Sequence, residues 1–226
     1  GQCPTVCARG NHDCRGLHAE DMPDYIPTQN GKTYYTTQKV TVTEKNVESI
    51  KLNGETAGAN ITLDGNRDAT YTIEVIDKAG NSTTVTVTMK PISDLSAPID
   101  GLNKDNVNSS NEQTVDGVKA AVAAVDTTNA TEQEKAALKE ISDKADELEK
   151  VIDDTKAEIA RINEELNKYN DSTVKSTDKD AIEQIIEDID ALLETENLTD
   201  AEEKALEDAK TKAEGLLDTI EDAAEA

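Results

Sequence analysis

Between residues 91 and 110 of this 226-residue chain, the spacing of apolar residues changes from every second position to every third or fourth. That switch constrains the fold more than any other feature. A period of two puts one face of a strand on a core and the other in water, whereas a period near 3.6 does the same for a helix. The length suits two small domains. The switch makes the first of them β and the second α.

In the β part, Lys39-Val40-Thr41-Val42-Thr43, Ser49-Ile50-Lys51-Leu52-Asn53 and Asn60-Ile61-Thr62-Leu63-Asp64 alternate apolar and polar residues. Thr70 to Ile76 and Thr84 to Met89 continue the alternation. The breaks carry turn chemistry: Asn53-Gly54, Asp64-Gly65-Asn66 and Ala79-Gly80-Asn81. Short strands at this spacing predict a small antiparallel β-sandwich over 33–91. Pro91, Pro98, Gly101, Ser109 and Ser110 make 92–109 read as a linker.

Residues 110–226 hold no Pro and carry helical periodicity. An internal repeat runs through them. Val107-Asn108-Ser109-Ser110 is matched by Val174-Lys175-Ser176-Thr177. Val115, Val118, Val122 and Val125 are matched by Ile182, Ile185, Ile189 and Leu192. After one insertion, Thr131 to Leu138 is matched by Thr199 to Leu206. Two copies, about 107–158 and 174–226, are therefore expected. Each opens a helix with a capping box, Thr131 with Glu134 and Thr199 with Glu202. From Leu138 through Ile141, Ala145, Leu148, Ile152, Thr155, Ile159, Ile162 and Leu166 to Tyr169, steps of three and four make a heptad seam. One helix along that seam would exceed ~50 Å; Asp153-Asp154 is the place where it could break. The expected fold class is multi-domain β + α, a small antiparallel sandwich followed by an elongated antiparallel helical bundle.

Composition excludes several functions. There is no Trp or Phe and there are five Tyr, so cores of Val, Ile, Leu and Ala offer few rigid walls for a ligand pocket. A formal charge of -25 repels nucleic acid and anionic lipid, and no stretch approaches the ~20 apolar residues of a membrane span. Cys3, Cys7 and Cys14 all precede the patterned regions, so neither expected domain can hold a disulfide. Asp64, Asn66 and Asp68 could ligate calcium through oxygen donors at alternate positions, but without the twelfth-position Glu they read as a turn.

The run Tyr35 to Thr43, the Asn53-Gly54 pair, and Tyr71-Thr72-Ile73 followed by Asp77-Lys78-Ala79-Gly80-Asn81-Ser82 resemble the short immunoglobulin-like modules of Gram-positive surface proteins and secreted glycosidases. That resemblance implies a spacer, sometimes an adhesive one. The helical half resembles, in architecture, the bundle repeats of such proteins.

A different resemblance covers residues 1–35. Arg9-Gly10-Asn11-His12-Asp13, with Arg15-Gly16, Asp24-Tyr25-Ile26-Pro27 and Asn30-Gly31-Lys32-Thr33-Tyr34-Tyr35 as flanks, looks like the middle of a calcineurin-like metallophosphoesterase. The resemblance implies that Asn11 stands at a metal-ligand position, that His12 faces the phosphate and that Asp13 orients it. A two-metal centre that activates water needs several further ligands. The upstream Asp-X-His and Gly-Asp-X-X-Asp runs are missing, and no His follows His18. Residues 1–32 are thus expected to be an irregular remnant without activity. Cys3, Cys7, Cys14, His12 and His18 fit no common zinc spacing.

The function expected from sequence is a non-catalytic structural, spacer or adhesive segment of a bacterial cell-surface or secreted protein. The parent protein is expected to be exported, with this chain an internal or truncated part of it. No cofactor and no metal ligand is assigned, and partners, a host protein or glycan, would act through the parent protein. One alternative is a truncated, inactive metallophosphoesterase. The other is a helical module that binds a host protein such as immunoglobulin, which would need exposed anchors. The helical half offers Tyr169 and Arg161.

Overall fold

The computed structural model describes residues 30–225. It is a small β-sheet region followed by five helices, and it divides into two compact units. One unit holds the described residues up to Ala97 together with Ala121–Ile141; the other holds Pro98–Ala120 and the described residues from Ser142 on.

In the first unit the strands are β1 (Thr33–Tyr34), β2 (Gln38–Thr41), β3 (Val47–Leu52), β4 (Glu55–Thr56), β5 (Asn60–Leu63), β6 (Ala69–Asp77) and β7 (Ser82–Met89). One sheet has the order β1-β7-β6-β3-β4, and a second pairs β2 with β5. Val40, Ile61 and Leu63 from the small sheet share a core with Ile50, Ile73, Val75, Val85, Val87 and Met89 from the large one. Asn53-Gly54 closes the β3–β4 hairpin with both residues at positive φ, which Asn and Gly tolerate better than other residues. The Asp77 carboxylate accepts the amides of Ala79 (2.9 Å) and Asn81 (2.8 Å), which shapes the β6–β7 turn around Gly80.

One pairing departs from the antiparallel expectation. β1 runs parallel to β7, with Thr33 opposite Thr88 and Tyr34 opposite Met89. The reason is a crossing: after Tyr34 the chain leaves the large sheet through Tyr35–Thr37 and enters the small one at Gln38.

The stretch 92–109, expected as a linker, is folded. It carries α1 (Ser93–Ser96), a 3-10 turn at Ala97–Ile99 and the first residue of another at Ser109–Asn111. Ile92, Leu95, Ile99 and Val107 are buried. The Pro, Ser and Asn residues that made it look open supply turns and caps here, as where the Asn108 side chain accepts the Ser110 amide.

The remaining helices are α2 (Glu112–Ala123), α3 (Glu132–Leu166), α4 (Lys179–Leu193) and α5 (Asp200–Glu225). α3 is continuous past Asp153-Asp154 and ends at Leu166, three residues short of Tyr169. Of the expected seam, Thr155 and Ile159 are half-buried, while the residues from Leu138 to Ile152 and Ile162 and Leu166 are buried. In the second unit, Ile162 and Leu166 of α3, Ile182, Ile185 and Ile189 of α4, and Leu206, Ala209, Ala213, Leu216 and Ile220 of α5 share one core. Lys179 pairs with Glu221 (3.1 Å) and Asp190 with Lys210 (2.6 Å), so α4 and α5 run antiparallel. No helix among the described residues is long and apolar enough to cross a membrane.

Candidate functional site

Asn11, His12 and Asp13, and with them Cys3, Cys7, Cys14 and His18, lie outside the described residues. The chemistry that can be built from geometry is elsewhere, at the start of α3.

Thr131 precedes that helix, and Glu134 sits in its first turn. The Glu134 amide donates to Thr131 Oγ1 (3.2 Å), and Glu134 Oε2 accepts the Thr131 amide (2.8 Å). This is the reciprocal capping expected from Thr-X-X-Glu. Its other carboxylate oxygen goes further. Oε1 accepts both the amide (3.0 Å) and the hydroxyl (2.9 Å) of Thr37, which lies just before β2. Thr37 Oγ1 in turn accepts the Gly65 amide (3.2 Å). Beside it, Thr36 donates its hydroxyl to the Asp126 carbonyl, and Gln38 donates its side-chain amide to the Thr36 carbonyl (3.2 Å).

Glu134 is only 5% exposed. A carboxylate so enclosed is costly unless its oxygens are filled. Three donors fill them here, and the positive end of the α3 dipole adds to the stabilisation. Gly65 makes the approach feasible. A Cβ there would overlap the Thr37 amide nitrogen, the Thr36 carbonyl carbon and Glu134 Oε1. The sequence pattern shows the capping box and the Gly65 turn separately. That one meets the other through Thr37 has no local signal, because the contact spans 97 positions.

The second capping box, in the other unit, has the same two reciprocal bonds, with Glu202 Oε2 accepting the Thr199 amide (2.9 Å) and the Glu202 amide donating to Thr199 Oγ1 (3.3 Å), and Thr199 Oγ1 also donates to Glu202 Oε2 (2.7 Å). Burial acts to raise the Glu202 pKa, but the Thr199 amide, the hydroxyls of Ser109 and Thr199, and Lys156 together hold it below the usual carboxylate range. Ahead of this box, the Asn197 side chain donates to the carbonyls of Lys104 (2.9 Å) and Val107 (2.8 Å), and the Asn108 side chain donates to the Leu198 carbonyl (3.4 Å).

The other residues singled out from sequence are engaged structurally. Asp64 pairs with Arg67 (3.2 Å), Asp68 with Lys90 (3.0 Å), and Asn66 accepts the Ile92 amide (2.9 Å). Arg161 is held by Glu158, Glu165 and Asp188, which raises its pKa through the Glu158 bond first. Tyr169 packs, half-buried, on the α3–α4–α5 core. An open groove of about 360 Å³ beside β1 is lined by Lys32, Tyr34, Tyr35, Leu95, Val125 and Asp126 among others. No group of three or more His, Cys, Asp or Glu among the described residues is arranged to hold a metal ion.

Compared with known proteins, the chain matches no family model, no curated protein and no solved structure.

Proposed function

We propose that this chain is a non-catalytic, tension-bearing spacer segment of a bacterial cell-surface or secreted protein, made of an immunoglobulin-like β module and two copies of a helical repeat. The observation that carries the reading is the parallel pairing of β1 with β7. These are the strands by which the chain enters and leaves the β region. When parallel neighbours are pulled from opposite ends, their hydrogen bonds are loaded together in shear rather than opened one by one. The bonds in that line include Gly31 N–H to the Thr86 carbonyl (2.8 Å), Thr86 N–H to Asn30 Oδ1 (2.9 Å), Thr88 N–H to the Lys32 carbonyl (3.1 Å), and Lys90 N–H to the Tyr34 carbonyl (2.9 Å).

Matching bonds support the two-copy reading of the helices. The Asn103 carbonyl accepts the amides of Asn106 and Val107, and the Asn170 carbonyl accepts those of Thr173 and Val174. Asn103 Oδ1 accepts the Asp105 amide, and Asn170 Oδ1 that of Ser172. Asn111 accepts the Asn108 amide, and Asp178 that of Lys175. The host-binding alternative gains nothing from Arg161 and Tyr169, since ion pairs occupy one and packing half-covers the other.

The test is single-molecule stretching of the whole chain from its ends. The β region should give the last and highest-force rupture, releasing about 20 nm for its ~60 residues at ~3.4 Å each. Thr88→Pro, which deletes one sheared bond, should lower that force. A β region that yields before the helices would overturn the mechanical reading. Phosphate-ester hydrolysis with added manganese or zinc, present in the chain and lost in His12→Ala, would overturn the non-catalytic one.

A further inference from the structure

Val107 is fully buried, and Asn108 and Ser109 are half-buried. Their cover includes the loop ahead of α5: Asn197 holds the Val107 carbonyl, the Leu198 carbonyl takes the Asn108 side chain, and Glu202 takes the Ser109 hydroxyl. The lead-in to the second helical copy thus docks on the strip that opens the first. At the corresponding strip of the second copy, Val174 is half-buried and Lys175, Ser176 and Thr177 are exposed. The backbone there is already folded as in the first copy, with Thr173 and Val174 bonded to Asn170 and Lys175 capped by Asp178. The surface is formed, and among the described residues it carries no equivalent cover.

We infer that the strip Val174–Thr177 is a docking surface for a further helical hairpin whose lead-in reads Asn-X-Thr-X-X-Glu. This rests on the two-copy reading of the helical half. The recognition chemistry is the one seen at the first strip. A side-chain amide takes the Val174 carbonyl, and a capping glutamate takes the Ser176 hydroxyl. A second molecule of this chain is not the occupant. Its own lead-ins are engaged, Asn197 with Val107 and Glu134 with Thr37.

The register permits a direct test on the full chain. By the match of Thr131 with Thr199, Ala226 stands where Glu158 stands in the first copy. Appending a second stretch of 159–226 to Ala226 therefore continues the α5 pattern through the counterparts of Ile159, Ile162 and Leu166 into a third hairpin. Hydrogen exchange of residues 170–178 is compared between the natural and extended chains, with helix content followed by circular dichroism. The expected result is a gain of helix and about tenfold slower exchange at 170–178, reversed by Asn→Ala at the appended counterpart of Asn197. Helix gained with unchanged exchange at 170–178 overturns the docking inference and leaves the two-copy reading standing. No gain of helix overturns that reading and the inference with it. Self-association of the natural chain that protects 174–177 would show the wrong occupant and also overturn it.

Discussion

The two capping boxes share a sequence pattern and the same pair of reciprocal bonds, yet they hold different neighbours. Glu134 closes the start of α3 and, with its second oxygen, binds the backbone and hydroxyl of Thr37 beside a β-strand. Glu202 closes the start of α5 and binds Ser109, at the head of a helical segment. Glu134 is buried, whereas Glu202 is half-buried. The difference teaches that a capping carboxylate has a spare acceptor, and the packing around it decides what that acceptor grips. One motif can then secure a helix to a strand in one unit and to another helix in the other.

Substitutions should break this comparison unevenly. The largest effect is expected at Gly65, because its neighbours are backbone atoms and a buried carboxylate that cannot retreat. Gly65→Ala should destabilise the first unit by about 3 kcal/mol, the upper range for overpacking. Gly58→Ala, where a methyl group meets open space, should stay within about 0.5 kcal/mol in the same denaturant titration.

Next come the glutamates themselves. Glu134→Gln forfeits a charge-assisted acceptor in a buried place and should cost about 2 kcal/mol; Glu202→Gln, better solvated, about 1 kcal/mol. Equal costs, read by urea unfolding followed at each unit, would mean that burial is not what separates the two boxes.

Smaller again is the loss of a cap. Thr199→Ala should cost about 1 kcal/mol, seen as faster exchange in the first turn of α5. If Thr199→Ala proves silent, water replaces the Thr hydroxyl adequately.

Acid should act on the second box and on the Arg161–Asp188 pair in a definite window. Asp188 is held below its usual pKa by Arg161 first and Gln184 second, and Glu202 is depressed by its bonds despite burial. A depressed folded pKa adds stability that is complete above the unfolded value, near 4, and disappears as pH falls through the folded value. The melting midpoint should therefore hold between pH 7 and about 5 and fall below about 4. Self-repulsion from a charge of -25 works the other way and is relieved by the first protons, so a decline already between pH 7 and 5 would contradict the account.

Much of this architecture was legible because it is periodic. Alternation located β2, β3, β5, β6 and β7; heptad steps located α3; Thr-X-X-Glu located both caps. β1 escaped because two residues show no period, and its parallel partner is far away in sequence. In 92–109, Asn, Ser and Pro signal a turn whether the turn is loose or capped, so the short helical turns there leave no periodic trace. Nothing local distinguishes Thr36 and Thr37, and only the folded chain reveals their hydroxyls on Asp126 and Glu134. The metallophosphoesterase-like motif at Asn11, His12 and Asp13 falls outside the described residues.

The claim that Glu134 joins strand to helix is tested most directly by a double-mutant cycle. Thr37→Val, Glu134→Gln and the double variant are unfolded in denaturant beside the natural chain, with the β region followed. Partners in contact should couple, and the account predicts an interaction of about 1 kcal/mol or more, with the double variant costing less than the sum of the singles. Strict additivity would show that Thr37 and Glu134 act independently, and would contradict the junction on which the comparison rests.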